Sequence, residues 1–345
     1  MATTDPRLRR AAPPAGPLPL RWDGARLYIL DQTLLPAREE VLVLEGAEDT
    51  AAAIRRLAVR GAPLIGVAAA YGLAMAVAAD PGSLNAAATR LATARPTARN
   101  LAWAVERVRA AAAAGGPEAA RAEAETIHRE DEAASAALAR HGADLLEALA
   151  PAGRVMTHCN TGALAASGRG TALGVIAELA ERRPVRVLAC EARPLLQGAR
   201  LTVWELGRLG IDHELAVDGA APGLIRRGEV DAVITGFDRV AANGDVANKV
   251  GTYGLALAAR AAGIPFVAAG PSSSVDLGLA SGDEIEIEER SADEVRRAGG
   301  ALLTVEGTPC RNPAFDVTPA ELVWALVTEK GVARPVSRET VAAVG

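Results

Sequence analysis

From Arg154 onward the chain repeats one pattern. Short apolar runs at Val155–His158, Val185–Ala189, Glu214–Val217, Ala232–Thr235 and Phe266–Ala269 are separated by segments of helical length. Strands alternating with helices build a parallel, doubly wound sheet, because each crossover helix must cover one sheet face. Glu284-Ile285-Glu286-Ile287 alternates strictly and predicts an exposed edge strand. Thr318 and Glu321 have the spacing of a capping box before a last long helix.

The first half reads differently. Residues 1–18, with Pro13, Pro14 and Pro17 and little to bury, predict a flexible tail. Residues 20–35 alternate as a short β-hairpin region, and helical patterns follow at about 50–59, 63–79, 85–94 and 97–114. The charged, Ala-rich stretch from Pro117 to Leu149 predicts a helix joining two domains. The expected organisation is a tail (1–18), a mainly helical domain with a small sheet (19–140) and a domain built on a doubly wound parallel sheet (141–345), an α/β chain throughout.

A net charge of −5 and no basic stripe argue against nucleic acid as a partner. The N-terminus lacks the apolar core of a signal peptide. Residues 61–79 carry no charge but are mostly Ala and Gly, which predicts a buried helix and not a membrane span. A cytoplasmic protein is expected. The three cysteines, Cys159, Cys190 and Cys310, make no disulfide framework, and the four scattered histidines offer no zinc-type spacing. Of 37 Lys and Arg residues only Lys249 and Lys330 are lysine, which makes a surviving ammonium worth attention and a single arginine uninformative.

In an open parallel sheet, ligands bind beyond the C-terminal strand ends. The segments there are His158-Cys159-Asn160-Thr161-Gly162, then Cys190 to Gly198 with Gln197, then Asp218-Gly219-Ala220, then Gly236-Phe237-Asp238-Arg239 running on to Asn248-Lys249. Any one of these can be a mere turn; four in register are harder to dismiss. Gly168-Arg169-Gly170-Thr171-Ala172-Leu173-Gly174 imitates a dinucleotide fingerprint, but it lies about ten residues past its strand with GxGxxxG spacing, and tight helix–sheet packing explains it equally well. Arg60-Gly61-Ala62-Pro63, Arg95-Pro96-Thr97 and Asn248-Lys249 each sit where a helix is expected to begin. Free N–H groups and the positive dipole end there suit a phosphate, although an arginine at a helix start is commonly a solvated surface residue.

The strings RGAPLIGVAAAYG, HCNTGALA, ACEARPLLQGARLTVWEL, DRVAANGDVANKVGTYGLA and TPCRNPAFDVTP resemble the methylthioribose-1-phosphate isomerase family, over roughly residues 20–335. That family shares a wider group with regulatory subunits of a eukaryotic translation initiation exchange factor. The resemblance implies a helical N-terminal domain with a small sheet, a Rossmann-like C-terminal domain, a homodimer, and no metal or organic cofactor. It implies a sugar-phosphate substrate, 5-methylthio-α-D-ribose 1-phosphate, converted to 5-methylthioribulose 1-phosphate in methionine salvage. Carried over by motif, Asp238 is the proton donor and Cys159 its catalytic partner, while Arg60, Gly61, Ala62, Arg95, Gln197, Asn248 and Lys249 contact substrate. Ala192, Gly219 and Phe237 depart from the family's usual Thr, Ser and smaller residue, which bears on fine specificity more than on reaction type. Related readings are an isomerase of ribose 1,5-bisphosphate or 5-deoxyribose 1-phosphate, and a non-catalytic regulatory subunit.

An aldose 1-phosphate is blocked at its anomeric oxygen, so an enzyme must assist ring opening. A protonated Asp238 can donate to the ring oxygen if an apolar surround, with Phe237 as one part, raises its pKa well above about 4. Two routes then move hydrogen from C2 to C1: Cys159 removes the proton, or a hydride shifts while Cys159 shapes and dries the site. In isolation, Cys159 reads as a small buried hydrophobe and Asp238 as a salt-bridge partner of Arg239 or a turn residue.

Overall fold

The computed structural model describes residues 9–11, 19–95 and 99–345. The chain divides into two compact units, one holding the described residues up to Ser135 together with Ala163–Gly170, the other Ala136–Gly162 together with Thr171–Gly345.

The first unit contains β1 (Arg9–Ala11), β2 (Leu20–Trp22), β3 (Leu27–Leu30) and β4 (Val41–Leu44), hydrogen-bonded in the order β1-β4-β3-β2. Leu27 faces Leu44 and Ile29 faces Leu42 across the antiparallel β3/β4 ladder, and all four are buried. The period-two alternation thus delivers one apolar face to the core. Within the segment expected as a tail, Arg9–Ala11 pair antiparallel with β4. That pairing uses main-chain groups, which composition does not report. The rest of the expected tail, residues 1–8 and 12–18, lies outside the described residues.

Helices α1 (Ala47–Arg55), α2 (Ala62–Ala79) and α3 (Leu84–Ala92) follow. The uncharged α2 is the core helix, with Leu64, Ile65, Tyr71 and Leu73 fully or almost fully buried. Its glycines allow close approach: a Cβ on Gly72 would stand 2.7 Å from Thr50 Oγ1, and one on Gly66 would stand 2.9 Å from the Asn100 carbonyl. Helix α4 (Arg99–Leu149) is two helices merged across a break at Gly116, whose φ of 70° no helix tolerates, with Pro117 opening the second part.

The second unit is built on a seven-stranded sheet, order β17-β16-β11-β8-β5-β6-β7. Its chain order is β5 (Arg154–Thr157), α5 (Ala172–Arg182), β6 (Arg186–Cys190), a π-helical turn (Gly198–Thr202), α6 (Val203–Leu209), β7 (Asp212–Ala216), α7 (Ala221–Arg226) and β8 (Ala232–Thr235). After β8 come β9 (Arg239–Ala241), β10 (Val246–Lys249), α8 (Thr252–Ala262), β11 (Phe266–Ala269) and β12 (Val275–Asp276). Then follow α9 (Ala292–Arg296), the paired β13 (Arg297–Ala298) and β14 (Ala301–Leu302), and β15 (Phe315–Thr318). The unit ends with β16 (Ala325–Thr328), β17 (Gly331–Ala333) and α10 (Arg338–Val344). All neighbours in the large sheet run parallel except β16 and β17.

Successive strand residues feed opposite cores. Val155, Val187, Ile234 and Val267 pack with Leu173, Ile176 and Leu206. Met156, Leu188, Val233 and Leu326 pack with Ile225, Leu255 and Phe266. Both faces are covered, as a parallel sheet requires. Strands β5, β6 and β7 run to one side and β8, β11 and β16 to the other, so the order reverses between β5 and β8.

Three local expectations are corrected. Glu284–Ile287 is not an edge strand: Gly282–Glu284 forms a 3₁₀ turn, held where Asp245 accepts from the Gly282 N–H at 2.9 Å. Thr318 and Glu321 do not cap a helix, because Thr318 ends β15 and the apolar run that follows becomes the buried strand β16. Asn248 and Lys249 do not begin a helix; they end β10, paired with Asp316 and Phe315 of β15.

Candidate active site

The loop after β5 is held in a conformation that costs energy. Cys159 has φ of 62°, a left-handed conformation that disfavours a side chain by about 1–3 kcal/mol. Its side chain is buried. Three polar side chains secure this geometry. Thr202 Oγ1 donates to the Cys159 carbonyl at 2.5 Å. Asn160 Nδ2 donates to Glu205 Oε1 at 2.6 Å and to Thr202 Oγ1 at 3.3 Å. Gly162 has no room for a Cβ, which would lie 2.3 Å from the Glu205 carboxylate. Thr161 then joins the loop to α5, accepting from the Leu173 N–H at 3.0 Å through its hydroxyl.

The loop after β6 is fixed from beneath and beside. A Cβ on Gly198 would stand 1.7 Å from the Cys190 carbonyl, so only glycine lets the π turn close against the strand end. That turn carries Thr202 to its place under Cys159. Asp218, just past β7, accepts from the N–H groups of Ala192 at 2.9 Å and Arg193 at 2.7 Å, and Ala192 is again left-handed. Gln197 is buried, and its Oε1 has no hydrogen-bond partner among the described residues.

Asp238 lies three residues past β8, with its N–H on the Ala247 carbonyl at 2.9 Å. Because Val155 pairs with Ala232 and Met156 with Val233, the loops bearing Cys159 and Asp238 leave adjacent strands in register. They touch: a Cβ on Gly236 would meet Thr161 Cγ2 at 2.7 Å. The ring of Phe237 turns into the core and packs over Gly270, so what it does there is anchor the loop.

Asn248 is buried and donates to Thr252 Oγ1 at 2.9 Å. The Lys249 ammonium donates to the Ala314 carbonyl at 2.8 Å and sits 5.1 Å from the Phe315 ring centroid. The N-terminus of α8, expected as an anion seat, is engaged by the chain itself. Asp316 accepts from Gly251 N–H at 2.6 Å and Tyr253 N–H at 3.2 Å. Burial pushes this carboxyl up to about 6, against the opposing pull of those N–H groups and of Lys249.

Arg60, Gly61, Ala62 and Arg95 belong to the other unit. Gly61 precedes α2 with φ of 91°, and a Cβ there would collide with the Ala165 carbonyl at 2.3 Å. Arg60 is buried beside it, and Arg95 follows α3. Pro96 and Thr97 lie outside the described residues. Five predicted site residues therefore lie on the second unit, at or near its strand ends: Cys159, Gln197, Asp238, Asn248 and Lys249. Thr202, Glu205 and Asp316 escaped the sequence reading, which placed Asp218 at a strand end without giving it a role. A buried carboxylate such as Glu205 leaves no trace in a helix pattern that also offers exposed charges.

Cys159 and Asp238 lie on loops that leave adjacent strands at the order reversal of a doubly wound sheet, the place where Rossmann-like folds bind small molecules. Residues 58–335 match the Initiation factor 2 subunit family, and the chain belongs to that family. The methylthioribose-1-phosphate isomerase of Anaeromyxobacter sp. (strain K) is 54% identical over 322 residues, 92% of this chain and 94% of its own length. That of Parasynechococcus marenigrum (strain WH8102) is 50% identical over 332 residues, 95% of this chain and 97% of its own. The crystal structure of 5-methylthioribose 1-phosphate isomerase from Pyrococcus horikoshii OT3 superposes with a TM-score of 0.87 at 37% identity, covering 96% of each chain. Translation initiation factor eIF-2B subunit delta from A. fulgidus superposes with a TM-score of 0.84 at 39% identity, covering 95% of this chain and all of its own.

Proposed function

We propose that this chain is an aldose–ketose isomerase that converts 5-methylthio-α-D-ribose 1-phosphate to 5-methylthioribulose 1-phosphate, a step of methionine salvage. The observation that supports it best is the placement of Cys159 and Asp238 on loops leaving adjacent, in-register strands at the sheet's reversal, in a chain about half identical to isomerases of that name over nearly its whole length. Protonated Asp238 donates to the ring oxygen as the ring opens and then exchanges a proton with O2. Cys159 is its partner while hydrogen moves from C2 to C1. Gln197, Asn248 and Lys249, with Arg60, Gly61, Ala62 and Arg95, hold the sugar and its phosphate. The unpartnered Gln197 Oε1 is an acceptor suited to a sugar hydroxyl. The working form in this reading is a cytoplasmic homodimer that needs no metal for turnover.

The test is an isomerase assay on the purified chain with 5-methylthio-, 5-deoxy- and 5-phospho-ribose 1-phosphates, with and without chelator. Turnover favouring the methylthio sugar and insensitive to chelator is expected. Preference for the bisphosphate would reassign the substrate, and no turnover of any would leave an initiation-factor subunit as the better reading.

A further inference from the structure

The ends of β5, β6 and β7 bring together three side chains to which the proposed reaction gives no chemical task. His158, Cys190 and Asp218 each offer one ligand atom, and these atoms lie within 4.8 Å of one another. The imidazole is oriented by its far nitrogen. Nε2 lies 2.8 Å from the Val250 carbonyl, which can only accept, so Nε2 carries the hydrogen and Nδ1 keeps its lone pair. That Nδ1 is buried, has no hydrogen-bond partner among the described residues, and stands 3.9 Å from Asp218 Oδ1. His158 is only 2% exposed. Gly251 makes room for the ring, since a Cβ there would lie 3.0 Å from Nε2.

We propose that His158, Cys190 and Asp218 form a three-ligand site for a zinc-class divalent cation, with its fourth position open to water. The donor set is one imidazole, one thiolate and one carboxylate, which suits zinc or cobalt(II) and not magnesium or calcium. A metal-binding histidine characteristically donates its other N–H to a carbonyl or carboxylate, as His158 does to Val250. Asp218 spends two acceptor positions on the Ala192 and Arg193 N–H groups and keeps the rest of about four. Its side chain is 31% exposed, which gives an ion a way in. Bonds of about 2.0–2.3 Å place tetrahedral ligands roughly 3.3–3.8 Å apart, so closure takes about 1 Å of side-chain movement.

Charge favours occupancy. Cys190 as thiolate and Asp218 together supply two negative charges to an ion held there. Binding as a thiolate replaces the Cys190 S–H bond by a metal–sulfur bond and releases that proton to solvent. The site stands apart from the isomerase reading and survives its failure.

Cobalt(II) is the probe. The full chain, stripped with chelator and dialysed, should bind one equivalent with tetrahedral visible bands and a thiolate-to-cobalt charge-transfer band. Zinc should displace it, and about one proton should be released per metal at pH 7. The charge-transfer band should persist in the Cys159→Ser/Cys310→Ser double variant, where Cys190 is the remaining thiol, and vanish in Cys190→Ser. Asp218→Asn should weaken cobalt binding by about 10-fold or more. A wild-type chain without the band, a band that survives Cys190→Ser, or one lost in the double variant would each overturn the site. The double variant leaves Cys190 intact, so a folding failure of Cys190→Ser does not rescue the proposal.

Discussion

The two ends of the seven-stranded sheet are built from opposite materials. At the N-terminal strand ends, Arg154 opens β5 and pairs with Asp231, and Arg186 opens β6 and pairs with Glu214. Arg182, closing α5, reaches Asp144, Glu147 and Glu178. The arginines and most of their partners are partly or largely exposed. At the C-terminal ends the polar groups are buried: His158, Asn160, Gln197, Thr202 and Glu205 are each under 9% exposed. Cys159, Ala192 and Leu196 adopt left-handed backbone there. Solvent-screened pairs add little to stability and can be exchanged. Buried polar groups and costly backbone persist only where neighbours over-determine them, which is the signature of a site.

Substitutions at the two ends should separate accordingly. Asp238→Asn keeps shape and removes the acidic proton, so turnover should fall roughly 10²- to 10⁴-fold while the Michaelis constant changes little. Near-normal turnover in a steady-state assay would end that assignment. At Cys159 the comparison between variants is sharper than either alone. A proton-abstracting thiolate predicts almost no activity in both Cys159→Ala and Cys159→Ser; a site-shaping role predicts partial activity in Cys159→Ala.

Gly198→Ala sets a methyl against the Cys190 carbonyl, and backbone must shift to relieve it. A loss of about 3 kcal/mol in urea unfolding is expected, and an unchanged midpoint would mean that the turn is not as tight as described. Asp316 supplies a titration. Its folded-state value, raised to about 6, lies above its ordinary one. The carboxyl therefore contributes stability at pH below about 4 that is lost as pH rises through about 6. Asp316→Asn should flatten the wild-type-minus-variant difference in urea midpoint outside that window and show the decline within it. A pH-independent difference would contradict the burial assigned to this group. The smallest effect is expected at the opposite end, where Arg186→Gln with Glu214→Gln should move the melting temperature by no more than about 2 °C and leave kcat/KM alone. A large loss of activity there would erase the contrast between the two ends.

Much of this contrast was legible before any coordinates. The runs around Val155, Val187, Ile234 and Val267 are short, apolar and bounded by turns, which suffices to read parallel strands and hence where a ligand must sit. Cys159 and Asp238 lie in segments which that route picks out, while their proposed roles come from the resemblance alone. The run Leu322 to Val327 was misread because six apolar residues suit a buried strand as well as a helix, and Thr318 with Glu321 supplied a persuasive but accidental cap. Lys249 was placed on a helix because pairing with β15 depends on residues some 65 positions away. The supports beneath the site were invisible for the same reason. Thr202 holding the Cys159 carbonyl, and Asp218 holding the Ala192 and Arg193 amides, are long-range hydrogen bonds with no local pattern.

Helix α2 has a consequence for how the chain is made. While it emerges from the ribosome, residues 62–79 present an uncharged stretch that targeting machinery can mistake for a membrane segment. Two of the partners that cover it are close in sequence. Thr50 of α1 precedes it, and Asn100, against Gly66, follows within about 40 residues. At about 5–20 residues per second those partners are synthesised within a few seconds. The order of the helices thus limits how long the most membrane-like part of the chain stays uncovered during synthesis.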